Sequence, residues 1–270
     1  MVQRRSWLAA WLALAACAFP VRGQTPEEIW REFVEWGQKR PRENPARKSM
    51  MDLYVEDLVG RGASEEEARR RWKVIAYEMR PRSRENNQFF WDTLFRLRSG
   101  PDHPLKLLVE VVKDLKPGRA LDVAMGNGRN AAFLASAGWQ VVGYDISPEA
   151  VALARQRAES LGVRYEAVEC DHRQFDYGRE RWDLIVFSYI VADEPDMQEV
   201  FGERLWNSLR PGGRMVCEGN FCEKLIRRLV PLDLPGFRLE RYSDAEELRE
   251  DWGSGATKGR VIRAIVRKDP

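Results

Sequence analysis

The sequence is short of the residues that staple small folds or hold metals. Among 270 residues there are four cysteines and two histidines. The histidines, His103 and His172, stand in no Cys/His cluster with zinc spacing, so no structural or catalytic metal is expected. An excess of one charge is missing too: 44 basic against 42 acidic residues leave a formal charge of +2. That balance lacks the electrostatic footprint of a nucleic-acid binder, so no nucleic-acid partner is expected. Beyond the N-terminus no apolar run reaches the roughly 18–20 residues that span a bilayer. With 44% hydrophobic and 32% charged residues, the composition is globular, and the chain is long enough to bury a core unaided.

Residues 1–23 differ from the rest. Arg4 and Arg5 precede an uncharged apolar stretch from Trp7 to Phe19, and Val21-Arg22-Gly23 follows before Gln24. This is the layout of an export signal. Leu14-Ala-Ala-Cys17 resembles the lipobox of bacterial lipoproteins, in which Cys17 would carry lipid, and Arg4-Arg5 loosely resembles a twin-arginine signal. The expectation is a periplasmic or Cys17-anchored protein, or a cytoplasmic one if the start is mis-assigned, with no stable membrane insertion after the signal is removed. Removal takes away three arginines and no acid, which leaves a near-neutral chain. Three cysteines then remain. A Cys217–Cys222 pair is conceivable outside the cytoplasm, but isolated buried thiols are the expectation.

Residues 24–117 read as a charged helical extension. Thr25-Pro26-Glu27-Glu28 is a helix start, with a capping hydroxyl, proline in the first turn and acids at the positive end of the dipole. Ser64 and Glu67 repeat the signal as a capping box, on a helix running to Met79. Further helices are expected over Asn87–Leu97 and Leu105–Leu115. Arg80, Arg82 and Arg84 read as a solvated charge run.

From Gly118 to the C-terminus, residues 118–270, the pattern alternates. Strands are expected over Ala120–Ala124, Gln140–Tyr144, Val163–Glu169, Trp182–Ser188, Arg214–Glu218, Phe237–Tyr242 and Val261–Lys268. Helices are expected from about Asn130, from Pro148 to Leu161, and over Met197–Leu209, with Leu209–Gly213 as a turn. Alternation of this kind makes an α/β, Rossmann-like, doubly wound, mostly parallel sheet, closed by an antiparallel edge pair.

The chemistry is concentrated at strand ends. Asp122-Val-Ala-Met-Gly126-Asn-Gly128-Arg-Asn130 passes from strand to helix through two glycines that let a ligand approach the backbone. Asp145 ends the second strand, where a carboxylate can accept both ribose hydroxyls. Asp171 ends the third, within reach of an exocyclic adenine amine, and His172 follows on the same rim. Three such features in consecutive units specify a nucleoside pocket. A pyrophosphate would gain nothing from the extra anion at Asp122, whereas a sulfonium carrying an ammonium group would.

Together with Val141-Val-Gly-Tyr-Asp145-Ile-Ser-Pro148, Glu169-Cys-Asp171, Trp182–Phe187 and Leu209-Arg-Pro-Gly-Gly213, the loop resembles class I S-adenosylmethionine-dependent methyltransferases of the small-molecule type. The resemblance implies seven strands with the last antiparallel, and S-adenosyl-L-methionine as cofactor. It places Asp122 and the Gly126–Gly128 backbone around the methionine moiety, Asp145 on the ribose and Ile146 against the adenine. Asp171 and His172 would border the base, and Ser188 the methyl donor. Where the family has glycine this chain has Ala124, whose methyl fits if the backbone there is not left-handed.

The implied reaction is methyl transfer to a small-molecule acceptor. Tyr189 and Asp193 are the candidate catalytic residues, with Glu218 and Asn220 beyond the fifth strand. The aromatic stretch Asn86–Trp91 is expected to help form a lid. The alternatives are an NAD(P)-dependent oxidoreductase, since Gly126-x-Gly128-x-x-Ala131 fits the dinucleotide fingerprint, and a non-catalytic exported binding protein on the same scaffold. Acceptor and oligomeric state are not encoded legibly.

Overall fold

The computed structural model describes residues 24–42, 44, 48–97, 101–189, 204–219, 222, 236–250 and 258–270. The expected signal with Cys17, the candidates Asp193 and Asn220, and most of the Met197–Leu209 helix lie outside these residues.

The N-terminal helices are α1 (Pro26–Lys39), α2 (Met50–Gly60), α3 (Glu65–Lys73), α4 (Arg84–Arg96) and α5 (Lys106–Val112). α1 starts with the expected capping box, the Thr25 side chain accepting from the Glu28 amide while Glu28 reaches back to the Thr25 amide. α3 begins at Ser64 and runs into a π-helical turn, Val74–Met79, that ends before Pro81. α2 was not expected. Its cap, Ser49, is plain, but Met-Met-Asp-Leu-Tyr-Val carries too little amphipathic contrast to stand out. Aromatic packing holds this layer together. Phe33 lies fully buried among Trp30, Trp36, Tyr54, Trp72, Phe89 and Phe90.

Then come β1 (Arg119–Val123), α6 (Arg129–Ser136), β2 (Gln140–Asp145), α7 (Pro148–Leu161), β3 (Glu166–Glu169), β4 (Trp182–Ser188), β5 (Leu209–Glu218), β6 (Phe237–Leu248) and β7 (Lys258–Lys268). They form one seven-stranded sheet in the order β3-β2-β1-β4-β5-β7-β6. β1 to β5 pair in parallel, and β7 lies antiparallel between β5 and β6. This is the doubly wound mixed sheet expected. The inner strands β1 and β4 are covered on both faces, hence their nearly continuous apolar runs. The edge strand β6 is charged instead, and Arg214–Glu240 and Arg260–Asp244 lace its neighbourhood.

Two expectations fail here. Leu209–Gly213 is not a turn before β5 but its first half, because Leu209 pairs with Trp182 and the register shift between Trp182 and Leu184 absorbs the glycines. Cys217 and Cys222 are not isolated thiols. They form a disulfide with Cα atoms 5.8 Å apart, because Cys222 is folded back to Gly219 by a backbone hydrogen bond.

Candidate functional site

The parallel order brings the C-terminal tips of β3, β2, β1 and β4 to one edge, where open α/β sheets bind ligands. Asp122 lies inside β1, opposite Gly143 of β2 and Val186 of β4. Its residue is fully buried, and neither carboxylate oxygen has a hydrogen-bond partner among the described residues. Burial pushes its pKa up to about 7, against the nearby Arg129 guanidinium and Ala131 amide, which pull it down. No hydrogen bond of ordinary geometry satisfies this carboxylate, and the Ala131 amide and Arg129 guanidinium favour its charge only from nearby; an acid buried with so little compensation beside a glycine loop points to a ligand.

The loop beyond β1 is left-handed at three positions: Ala124 at φ +49°, Gly126 at +55° and Gly128 at +72°. A Cβ at 126 would lie 2.9 Å from the Phe95 ring, and one at 128 would overlap Tyr165 and Ala154. The two glycines are therefore required. Ala124 fails its condition, since the backbone there is left-handed.

Asp145, at the tip of β2, accepts from the Gly126 and Ser147 amides at 2.9 Å each, which fastens the loop to the second strand. Burial raises its pKa to about 6, opposed by those amides. Ile146 is half-buried beside it. Asp171, two residues past β3, is buried and accepts from the Arg173 amide at 2.9 Å. The half-buried His172 sits with Nδ1 3.5 Å from it. The three acids thus belong to the adjacent strands β1, β2 and β3, Asp122 buried within its strand and the other two at or just past the tips of theirs. Ser188, at the tip of β4, accepts from Arg129 at 2.9 Å.

Tyr189 follows with φ +51°. Its hydroxyl donates to Glu218 at 3.3 Å, and burial together with Glu218 holds the phenol proton well above the usual tyrosine range. Buried Glu218 also receives Arg263 at 3.0 Å.

Helix α4 faces this rim through residues other than the aromatic stretch. Phe89 and Phe90 pack into the N-terminal layer. Arg84, Asp92 and Phe95 share the opposite face, eight and eleven positions apart. Arg84 approaches Asp171 at 3.3 Å, Asp92 accepts from the Ser147 hydroxyl at 2.5 Å, and Phe95 lies on Gly126. Of the arginine run Arg82 and Arg84 are exposed, as a solvated run would be, and only Arg80 departs from it. Arg80 is buried against Phe90 and Trp91, and Arg82 pairs with Glu27.

Residues 120–213, from β1 into β5, match the methyltransferase domain family. The chain carries a class I methyltransferase fold. S-adenosylmethionine is the cofactor of that family. The demethylmenaquinone methyltransferase of Thermus thermophilus is 32% identical over 110 residues, 40% of this chain and 50% of that protein. An uncharacterized protein of Mycobacterium tuberculosis is 29% identical over 178 residues, 62% of this chain and 65% of that one. The chain therefore spans between half and two thirds of these relatives. A solved structure described as "Conversion of a Disulfide Bond into a Thioacetal Group during Echinomycin Biosynthesis" superposes with a TM-score of 0.55 at 21% identity, over 68% of this chain and 92% of that one. It shows the same fold. The strand-tip edge offers a buried acid, Asp122, and a backbone opened by Gly126 and Gly128, a setting that suits a ligand carrying positive charge.

Arg129, in the glycine loop segment, has no role in the sequence pattern. It is buried, bonds the His103 carbonyl at 2.8 Å and grips Glu250 at 2.5 and 2.6 Å. A cation on the first turn of α6 was a legible anomaly, since that end of a helix disfavours positive charge. Glu250, 121 residues away, carried no signal.

Proposed function

We propose that this chain transfers a methyl group from S-adenosylmethionine to a small-molecule acceptor. The observation that carries the reading is the buried, unpartnered Asp122 carboxylate at the glycine loop. An unsatisfied group of that kind costs about 1–3 kcal/mol, which a cationic ligand offsets. In this reading Asp122 faces the methionine end and Asp145 takes the ribose hydroxyls on its remaining lone pairs. Ile146 and His172 flank the base, and Asp171 exchanges Arg84 for the exocyclic amine. Ser188 borders the reacting methyl, and α4 covers the site as a lid.

When bound, the cofactor supplies an electrophilic methyl group on a sulfonium. The chain supplies alignment and a site closed to water. Tyr189 is poor as a base because its proton is held tightly, and it serves better as a hydrogen-bond donor. Glu218, on the same rim, is the better placed proton acceptor for an acceptor that loses a proton. Asp193 keeps its proposed role from the sequence alone.

Calorimetric titration with S-adenosylmethionine and S-adenosylhomocysteine, followed by tritium transfer from labelled cofactor, tests the reading. Micromolar binding is expected. A folded protein that binds neither, or one that quenches nicotinamide fluorescence instead, overturns it.

We also propose that residues 1–23 direct export. The Cys217–Cys222 disulfide supports this, since such bonds persist in oxidising compartments. Sequencing the N-terminus of the mature protein from fractionated cells checks it. An intact Met1 in the cytosolic fraction would remove the idea.

A further inference from the structure

A cleft of about 1280 Å³ opens beside the strand tips, walled by the start of α5, by Arg129 and by the far ends of β5 and β6. It is rich in charge, but most of that charge is spent internally. Arg129 is taken by Glu250, and Arg263 by Glu218 at 3.0 Å and Glu247 at 2.6 Å. Arg241 is taken by Glu110 at 2.8 Å, and Asp102 by Arg157 at 2.9 Å. Two lining cations make no ion pair among the described residues: Lys106, on the first turn of α5, and Arg249, just past β6. The Nε of Arg249 is buried with no hydrogen-bond partner there. Its guanidinium lies flat on Gly259, where a Cβ would overlap it. A guanidinium fixed against backbone, lining the cleft and paired with no acid among the described residues, is half of an anion site.

We propose that this cleft recognises an anionic group, a carboxylate or a phosphate, on the methyl acceptor, through Arg249 and Lys106. Calling the ligand the acceptor rests on the methyltransferase reading above; the anion site itself does not. The same cleft reaches Glu218, which bonds Tyr189, and Arg129, which bonds Ser188 at the tip of β4. The reacting end of the acceptor therefore points to that corner and its anion points away from it. Pro104, Leu107 and Leu248 supply apolar wall between charged groups. Because every other cation in the cleft is matched by an acid, the site suits one or two negative charges rather than a polyanion.

The test titrates phenyl phosphate, benzoate, benzylamine and benzyl alcohol into the full chain, free and saturated with S-adenosylhomocysteine, by ligand-observed NMR. One or both anions should bind at least tenfold tighter than the amine and the alcohol, and the stronger of the two identifies the group. Arg249→Gln and Lys106→Gln should each weaken anion binding about tenfold and leave S-adenosylhomocysteine affinity unchanged. Gly259→Ala keeps every charge and displaces only the flexible Arg249 side chain; it should reproduce the Arg249→Gln loss and guards against a misfolded variant. Amine or alcohol binding as tight as the anions, or anion binding unmoved in Arg249→Gln and Gly259→Ala, overturns the proposal. Loss of S-adenosylhomocysteine binding in the parent protein overturns the methyltransferase reading instead, and the titrations on the free chain still decide the anion site.

Discussion

Ala124 holds a backbone conformation that L side chains avoid, at φ +49°. The left-handed region costs a non-glycine residue about 1–2 kcal/mol. Glycine would recover that but lose about 0.4–1 kcal/mol through a freer unfolded chain. Ala124→Gly should thus stabilise the protein by up to about 1.6 kcal/mol in urea denaturation. A destabilised variant would show that the methyl makes compensating contacts. Asp122 makes the second residue-scale prediction. Its folded pKa, about 7, is raised above the unfolded value, so the folded state keeps the proton longer. Its contribution to stability is fully present below about pH 4 and lost as pH rises through 7. In cofactor-free protein Asp122→Asn should be more stable than the parent at pH 8, by about 1–3 kcal/mol, with the gap closing towards pH 5. A gap independent of pH between 5 and 8 would contradict the assignment.

Two devices fasten the chain around the strand tips, one local and one long-range. The Cys217–Cys222 bond closes a six-residue loop at the tip of β5. Loop-closure entropy for that length is worth about 2 kcal/mol. Cys222→Ser should lower stability by about that amount, and a reducing agent should do the same to the parent while leaving the variant unmoved. The second device is the Arg129–Glu250 pair, which ties the start of α6 to the chain after β6. Breaking a buried pair from one side costs about 3–5 kcal/mol, because the remaining charge is stranded. Arg129→Ala should therefore cost about 3 kcal/mol, and adding Glu250→Ala should give part of it back. Strict additivity in the double-mutant cycle would mean the two groups do not interact.

At the scale of the whole molecule, an aromatic helical layer and a seven-stranded sheet meet along one seam, the α4 face that bears Arg84, Asp92 and Phe95. Burial raises the pKa of Asp92, at that seam. On the proposed reading, ligand filling the strand-tip edge would lie beneath this face. S-adenosylhomocysteine should therefore slow amide exchange across Arg84–Arg96 as well as in the glycine loop, when followed by mass spectrometry. Slowing confined to the loop would mean that α4 is no lid.

What could be read without coordinates was what is local and periodic. The caps at Thr25, Ser64 and Ser147, the strand–helix alternation from Gly118, the glycine loop and the acids at the strand tips all act within a few residues of themselves, so short patterns report them. The order β3-β2-β1 follows from connection rules once the alternation is seen, which is why three acids could be placed on one rim. Only the folded chain decided the pairings across long separations, Arg129 with Glu250 and Arg84 with Asp171, and which face of α4 turns to the site. Such contacts depend on where two distant backbones cross, and no periodicity within either segment records that. The left-handed φ at Ala124 belongs with them, because its neighbours in the loop, not its own preference, impose it.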